Sequence, residues 1–133
     1  MANLKEFTLR TGKNGFYNIT REIADFVRES HIDEGIAIVF CPHTTAGITI
    51  NENADPDVTA DMTYTLNRSF PKLPEYQHME GNSDAHIKST LTGAQTTVII
   101  TGGRLLLGTW QAIYFCEYDG PRTRHFYVKL IEG

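Results

Sequence analysis

The run TTVIITGGRLLLGTWQAIYFCEYDGPRTRHFYVKLIE, Thr96 to Glu132, decides the fold class. Its β-branched and aromatic residues show no helical period. Gly102-Gly103 and Asp119-Gly120-Pro121 punctuate it, as turns punctuate strands. The first half reads as a hairpin turning at Gly102-Gly103, the second as a longer hairpin around Asp119-Gly120. A chain that finishes in strands after helical segments is not an alternating βαβ chain, so the class is α+β rather than doubly wound.

Working back toward the N-terminus, helical and extended segments mix. SDAHIKSTLTG (83–93) reads as a short helix, capped by Ser83 or Asp84 and closed by Gly93. SFPKLPEYQ (69–77) holds two prolines and is loop. In DPDVTADMTYTL, Asp55 suits an N-cap and Pro56 the first helical position. Val58, Met62 and Leu66 then form one apolar stripe. GITINEN (47–53) alternates as a strand, and IAIVFC (36–41) is a short apolar run suited to a central strand. Ile19, Ile23, Phe26 and Val27 fall at helical spacing and predict an amphipathic helix over roughly 19–31. LKEFTLRT is a strand and KNGF a turn.

At 133 residues, with 41% hydrophobic and 21% charged, the chain is one ordinary globular domain over 1–133. Twelve basic against 16 acidic residues leave a net charge of −4, which argues against nucleic acid as a partner. No apolar run approaches the ~20 residues of a membrane span. The start, MANLKEFTLR, has no apolar signal core, so a cytoplasmic location is expected. Cys41 and Cys116 follow no framework or metal spacing and read as two buried thiols.

The chemistry gathers in four places. HMEGNSDAH (78–86) is too polar for core and carries His78 and His86, eight residues apart and so not one helical turn apart. His43, in CPHTTAG, follows the apolar strand where Pro42 ends the ladder. Three neutral imidazoles with a fourth position open are a catalytic zinc arrangement, but this spacing matches no strict ligand signature; a solvated loop plus a helix cap serves the same residues. Glu52 sits at a strand end with no capping role to explain it. Arg122 and Arg124 are i and i+2 on a strand, a clamp for phosphate or carboxylate, or partners for acids such as Glu117. His31 and His125 read as surface positions.

Three segments together carry a resemblance: HTTAGITINENADPDV (43–58), HMEGNSDAHIKSTLTG (78–93) and GGRLLLGTWQAIYFCEYDGPRTR (102–124). In that order they resemble the YjbQ family. The resemblance implies an α+β subunit with a mixed β-sheet and two or three helices, assembled as a homotrimer. It also implies histidines around a divalent metal beside a bound phosphate or sulfate, and a weak thiamin phosphate synthase activity. On that footing His43, His78 and His86 are the metal ligands, zinc being suited to all-nitrogen ligation. Glu52 and Asp84 become acid–base or supporting residues, and Gln111 a ligand-orienting group. Arg122, Arg124 and Asn82 are assigned to the anion. The function expected is a metal-dependent enzyme acting on a phosphorylated small molecule. The alternatives are a metal-dependent hydrolase and a non-catalytic trimeric module that binds a metal or a phosphorylated metabolite.

Overall fold

The computed structural model describes residues 3–133. In chain order the elements are β1 (Leu4–Arg10), β2 (Gly15–Asn18), α1 (Thr20–Ser30), β3 (Gly35–Phe40), β4 (Ala46–Glu52) and α2 (Pro56–Ser69). They continue as α3 (Ser83–Thr92), β5 (Gln95–Thr101), β6 (Arg104–Leu105), β7 (Gln111–Glu117) and β8 (Thr123–Glu132).

Helix α1 buries the expected stripe, Ile23, Phe26 and Val27, and stops where His31 turns left-handed at φ +60°. Helix α2 starts as its sequence dictates: the Asp55 carboxylate accepts the Asp57 N–H at 2.9 Å, with Pro56 in the first turn. None of its residues is fully buried, so Val58, Met62 and Leu66 remain half-covered. Helix α3 departs from expectation at its start. Its N-cap is Asn82, one residue before the predicted caps, and the Asn82 side chain makes no capping bond. Gly93 closes the helix at φ +96°, a conformation open to glycine.

The strands form two sheets, ordered β1-β8-β3-β5-β6 and β2-β7-β4. Every pairing is antiparallel, so the mixed sheet gives way to two antiparallel ones. The β5–β6 hairpin turns at Gly102-Gly103 as read, both at positive φ. The longer hairpin does not form. Strand β7 pairs with β2 and β4, whereas β8 pairs with β1 and β3. The reason lies in burial. Each of Ala112 to Glu117 is buried, so β7 has both faces covered and takes the centre of the small sheet. Strand β8 buries only alternate residues and belongs to a sheet with one face inward.

The main core lies between the sheets. Ala37, Val39, Val98, Ile100, Phe126, Val128 and Leu130 meet Ile48, Ile113 and Phe115, with α1 packed on both sheets through β6 and β7. A second cluster on the other face of β7 joins Ala112, Tyr114 and Cys116 to Ala85 of α3 and Leu66 of α2. Gly47 permits that layer: a Cβ there would stand 2.7 Å from the Gly93 carbonyl oxygen. Both cysteines are buried free thiols, and burial pushes Cys116 up to about 12. Among the described residues no helix is long and apolar enough to cross a membrane.

Candidate functional site

The site stands where the two sheets part. Three connections reach it: Pro42–Thr45 between β3 and β4, Asp119–Arg122 between β7 and β8, and the loop from Phe70 that delivers Glu80, Asn82 and the start of α3. Together they enclose a polar cleft of ≈ 300 Å³, lined by Pro42, His43, Thr44, Thr45, Glu80, Asn82, His86, Arg122 and Arg124.

Arg124 is the fixed point. It is 3% exposed and faces a fully buried Glu117 across the gap between the sheets. Its Nε donates to Glu117 Oε1 at 2.7 Å, and its Nη2 pairs closely with Glu117 Oε2. The same Nη2 donates to Thr45 Oγ1 at 2.9 Å. Thr11 Oγ1 donates to Glu117 Oε1 at 2.6 Å, and the Asp119 N–H to Oε2 at 2.9 Å. Burial alone would raise the Glu117 carboxyl. The bonds from Arg124, Thr11 and Asp119 outweigh it and hold the carboxyl below its ordinary value. The ion pair therefore fulfils the commoner fate of a strand arginine, yet leaves Nη1 of Arg124 without a hydrogen-bond partner among the described residues.

Arg122 is held from one side. Its Nε donates to the Asp119 carbonyl at 2.8 Å and its Nη2 to Asp119 Oδ2 at 2.9 Å; Glu80 Oε2 stands 3.6 Å from Nη2. Asn82 Nδ2 bridges the same acids, 2.7 Å from Asp119 Oδ2 and 3.2 Å from Glu80 Oε2. The two carboxylates settle which way the amide faces, and its buried Oδ1 is left with no partner among the described residues.

His43 contributes a donor. Its Nε2 accepts the backbone N–H of His125 at 2.9 Å, which places the proton of the neutral ring on Nδ1. Burial, and then the Arg124 charge, push its pKa down, so the neutral form prevails at pH 7. His125 is thus tied to the site through its backbone, although its ring faces Glu6 and Thr8 outside it.

The remaining expected site residues are placed elsewhere. His78 does not line the cleft; its ring meets that of His86 edge-on at 5.5 Å, and its Nε2 stands 3.8 Å from Glu80. Asp84 is buried, with Lys72 at 3.1 Å and Lys88 at 3.8 Å on its two oxygens. Glu52 and Gln111 are register partners at the far end of the small sheet, about 23 Å along the strand direction of β4 from Thr45. Gln111 Oε1 there accepts the Gly108 N–H at 2.8 Å. Glu80 lines the cleft and escaped the sequence reading. The signal for it was present, an acid inside HMEGNSDAH flanked by His78 and Asn82.

Zinc needs free lone pairs converging on one point. The one lone pair of neutral His43 already accepts a backbone N–H. Among the described residues, no three His, Cys, Asp or Glu side chains converge to hold a metal. As arranged in one chain, the three histidines do not fit a three-histidine zinc centre. The donors carried by the residues that line the cleft suit an anion: two guanidiniums, an imidazole N–H and the Thr44 and Thr45 hydroxyls.

Known proteins share the family and the fold of this chain. A family model described as UPF0047 protein YjbQ-like matches residues 5–133. UPF0047 protein YugU of Bacillus subtilis is 53% identical over 130 residues, covering 96% of this chain and 98% of that protein. UPF0047 protein MJ1081 of Methanocaldococcus jannaschii is 52% identical over 129 residues, with 96% and 94% covered. The crystal structure of an uncharacterized YjbQ/UPF0047 protein from Clostridium acetobutylicum superposes with a TM-score of 0.93 at 55% identity, covering 96% and 99%. A YbjQ-like protein of unknown function from Sulfolobus solfataricus reaches the same TM-score at 28% identity, with 100% and 99% covered.

Proposed function

The chain belongs to the YjbQ-like UPF0047 family, and from that premise we propose that its polar cleft binds the phosphate group of a small phosphorylated metabolite. The observation that carries this reading is the pair Arg122 and Arg124, both lining one cleft with an Nη1 that has no partner among the described residues. Glu117 and Asp119 hold the guanidiniums in place before a ligand arrives, so little side-chain freedom is lost on binding. The His43 Nδ1–H and the threonine hydroxyls complete a set of donors around one anionic group.

The reaction supplied by the resemblance fits within this proposal. Thiamin phosphate synthesis joins a pyrimidine pyrophosphate to a thiazole phosphate and releases pyrophosphate. The two arginines would stabilise the charge that develops on the departing pyrophosphate. A divalent metal belongs to the same proposal as an expectation from the family, with His78 and His86 as the pair to hold it. A re-aimed His43 or a residue from another subunit would have to add the third donor. A homotrimer has a surface to use: Ile36 pairs with Ile99 and Ile131 on the outer face of the large sheet, where Phe40, Ile99 and Ile131 stand exposed.

A non-catalytic binding module is the second reading. It is favoured by the placement of Glu52, Asp84 and Gln111, the expected acid–base and orienting groups, outside the cleft. Titration calorimetry with inorganic phosphate and pyrophosphate tests the shared claim. Binding is expected, weakened about tenfold in Arg122→Ala, which removes a charge-assisted contact from an exposed side chain. Affinity unchanged in that variant would remove Arg122 from the site and with it the two-arginine reading. Pyrophosphate release from the two thiamin precursors would then separate the readings: turnover supports the synthase, and binding without turnover supports the module.

A further inference from the structure

We propose that the cleft selects a phosphorylated small molecule that also carries a cationic group, and that Glu80 is the residue that reads it. This deepens the phosphate reading and rests on it.

Glu117 and Asp119 already hold the two arginines, so a further carboxylate in the wall only weakens the site for a bare anion. Like charges about 4 Å apart repel by about 1 kcal/mol even in water, and by more where solvent is partly excluded. Yet Glu80 lines the cleft that both arginines line, with Arg122 at 3.6 Å, the one acid among the described lining residues. Nothing apolar forces it there. Its side chain is 60% exposed, its neighbour Met79 is fully exposed, and Gly81 follows at φ +79°. What turns Glu80 inward is polar: Asn82 Nδ2 at 3.2 Å, Arg122 Nη2 at 3.6 Å and His78 Nε2 at 3.8 Å. The last two separations exceed a hydrogen bond, so the carboxylate keeps acceptor capacity for an incoming donor.

The lining is therefore bipolar. Arginines and the His43 N–H supply its positive and donor part, and a loosely held carboxylate at the Arg122 end supplies its negative part. Such a wall is complementary to a molecule with an anionic end and an ammonium-like end a few bonds apart. A ligand with phosphate alone must bind against the Glu80 charge, and one with both groups satisfies it. The carboxylate also competes with phosphate for Arg122, so it penalises monofunctional anions twice.

Ethyl phosphate and phosphoethanolamine are the probes, since they differ by one ammonium group. Calorimetry on the full chain at pH 7 is expected to show phosphoethanolamine binding about fivefold tighter than ethyl phosphate. In Glu80→Gln the preference should fall to about one, with ethyl phosphate itself binding tighter than in the unaltered protein. Glu80 is exposed, so the substitution leaves the fold intact. Equal affinities in the unaltered protein, or a preference that survives Glu80→Gln, would overturn the selection while leaving the phosphate site standing. Failure of both probes to bind would overturn the phosphate reading and this inference together.

Discussion

Replacing Arg124 with Met should unsettle the fold more than its single charge suggests, and in a pH-dependent way. Glu117 is fully buried and accepts four hydrogen bonds, two of them from Arg124. The substitution leaves that carboxylate in the gap between the sheets with Thr11 and the Asp119 N–H alone. Breaking a buried pair in this manner costs about 3–5 kcal/mol. For 133 residues the melting entropy is about 0.28 kcal/mol/K, so a loss near the middle of that range lowers the midpoint by about 14 °C. In the unaltered protein the Glu117 carboxyl is held below its ordinary value. Its contribution is therefore present above the unfolded-state value near 4.5 and is lost as pH falls through the lower folded value. In Arg124→Met, burial is no longer outweighed, and the carboxyl is pushed above its ordinary value instead. The folded state then takes up a proton before the unfolded state does, and the deficit shrinks as pH falls from 7 toward 4. Urea unfolding at pH 7, 6, 5 and 4 measures this, with Glu117→Met/Arg124→Met as companion. The double variant should recover to within about 1–2 kcal/mol of the parent, because no charge is left buried. A deficit under about 1 kcal/mol at pH 7, or one of constant size across the series, would refute the account.

Two further outcomes bear on the expectations from the family. Elemental analysis of untagged, dialysed protein should find a divalent metal that His78→Ala/His86→Ala loses, if the metal proposal is right; metal kept by that variant would move any site elsewhere. Sedimentation equilibrium should give three times the 15.0 kDa chain mass, reduced to one in Ile99→Asp, which sets a charge in the exposed apolar face of the large sheet. A monomer before substitution would end the trimer proposal.

Where the sequence could be read, the interactions were local. The Asp55 cap, the α1 stripe and the Gly102-Gly103 turn each depend on residues within a few positions of one another. What was misread depends on distant pairing. Nothing inside TWQAIYFCEYDGPRTRHFYV says that its halves join different sheets, because β7 finds its neighbours in β2 and β4 and β8 in β1 and β3. The site divides in the same way. His43, Asn82, His86, Arg122 and Arg124 do share one cleft, whereas Glu52 and Gln111, chosen for their place at strand ends, stand at the other end of those strands. Asp84 was chosen for its motif, and it is occupied by Lys88, its i+4 neighbour on α3, and by Lys72, a charge that only the packing of the 70–82 loop brings near.

Strand β8 is the last in chain order, yet it lies between β1 and β3. During synthesis, the two earliest strands of the large sheet thus wait, unpaired with each other, until Thr123–Glu132 have emerged. That same strand carries Arg124 into the gap beside Glu117. The step that completes the sheet is also the step that completes the cleft. A chain that stops before residue 123 has neither the strand that joins β1 to β3 nor the arginine that pairs with Glu117, so sheet and cleft are finished together or not at all.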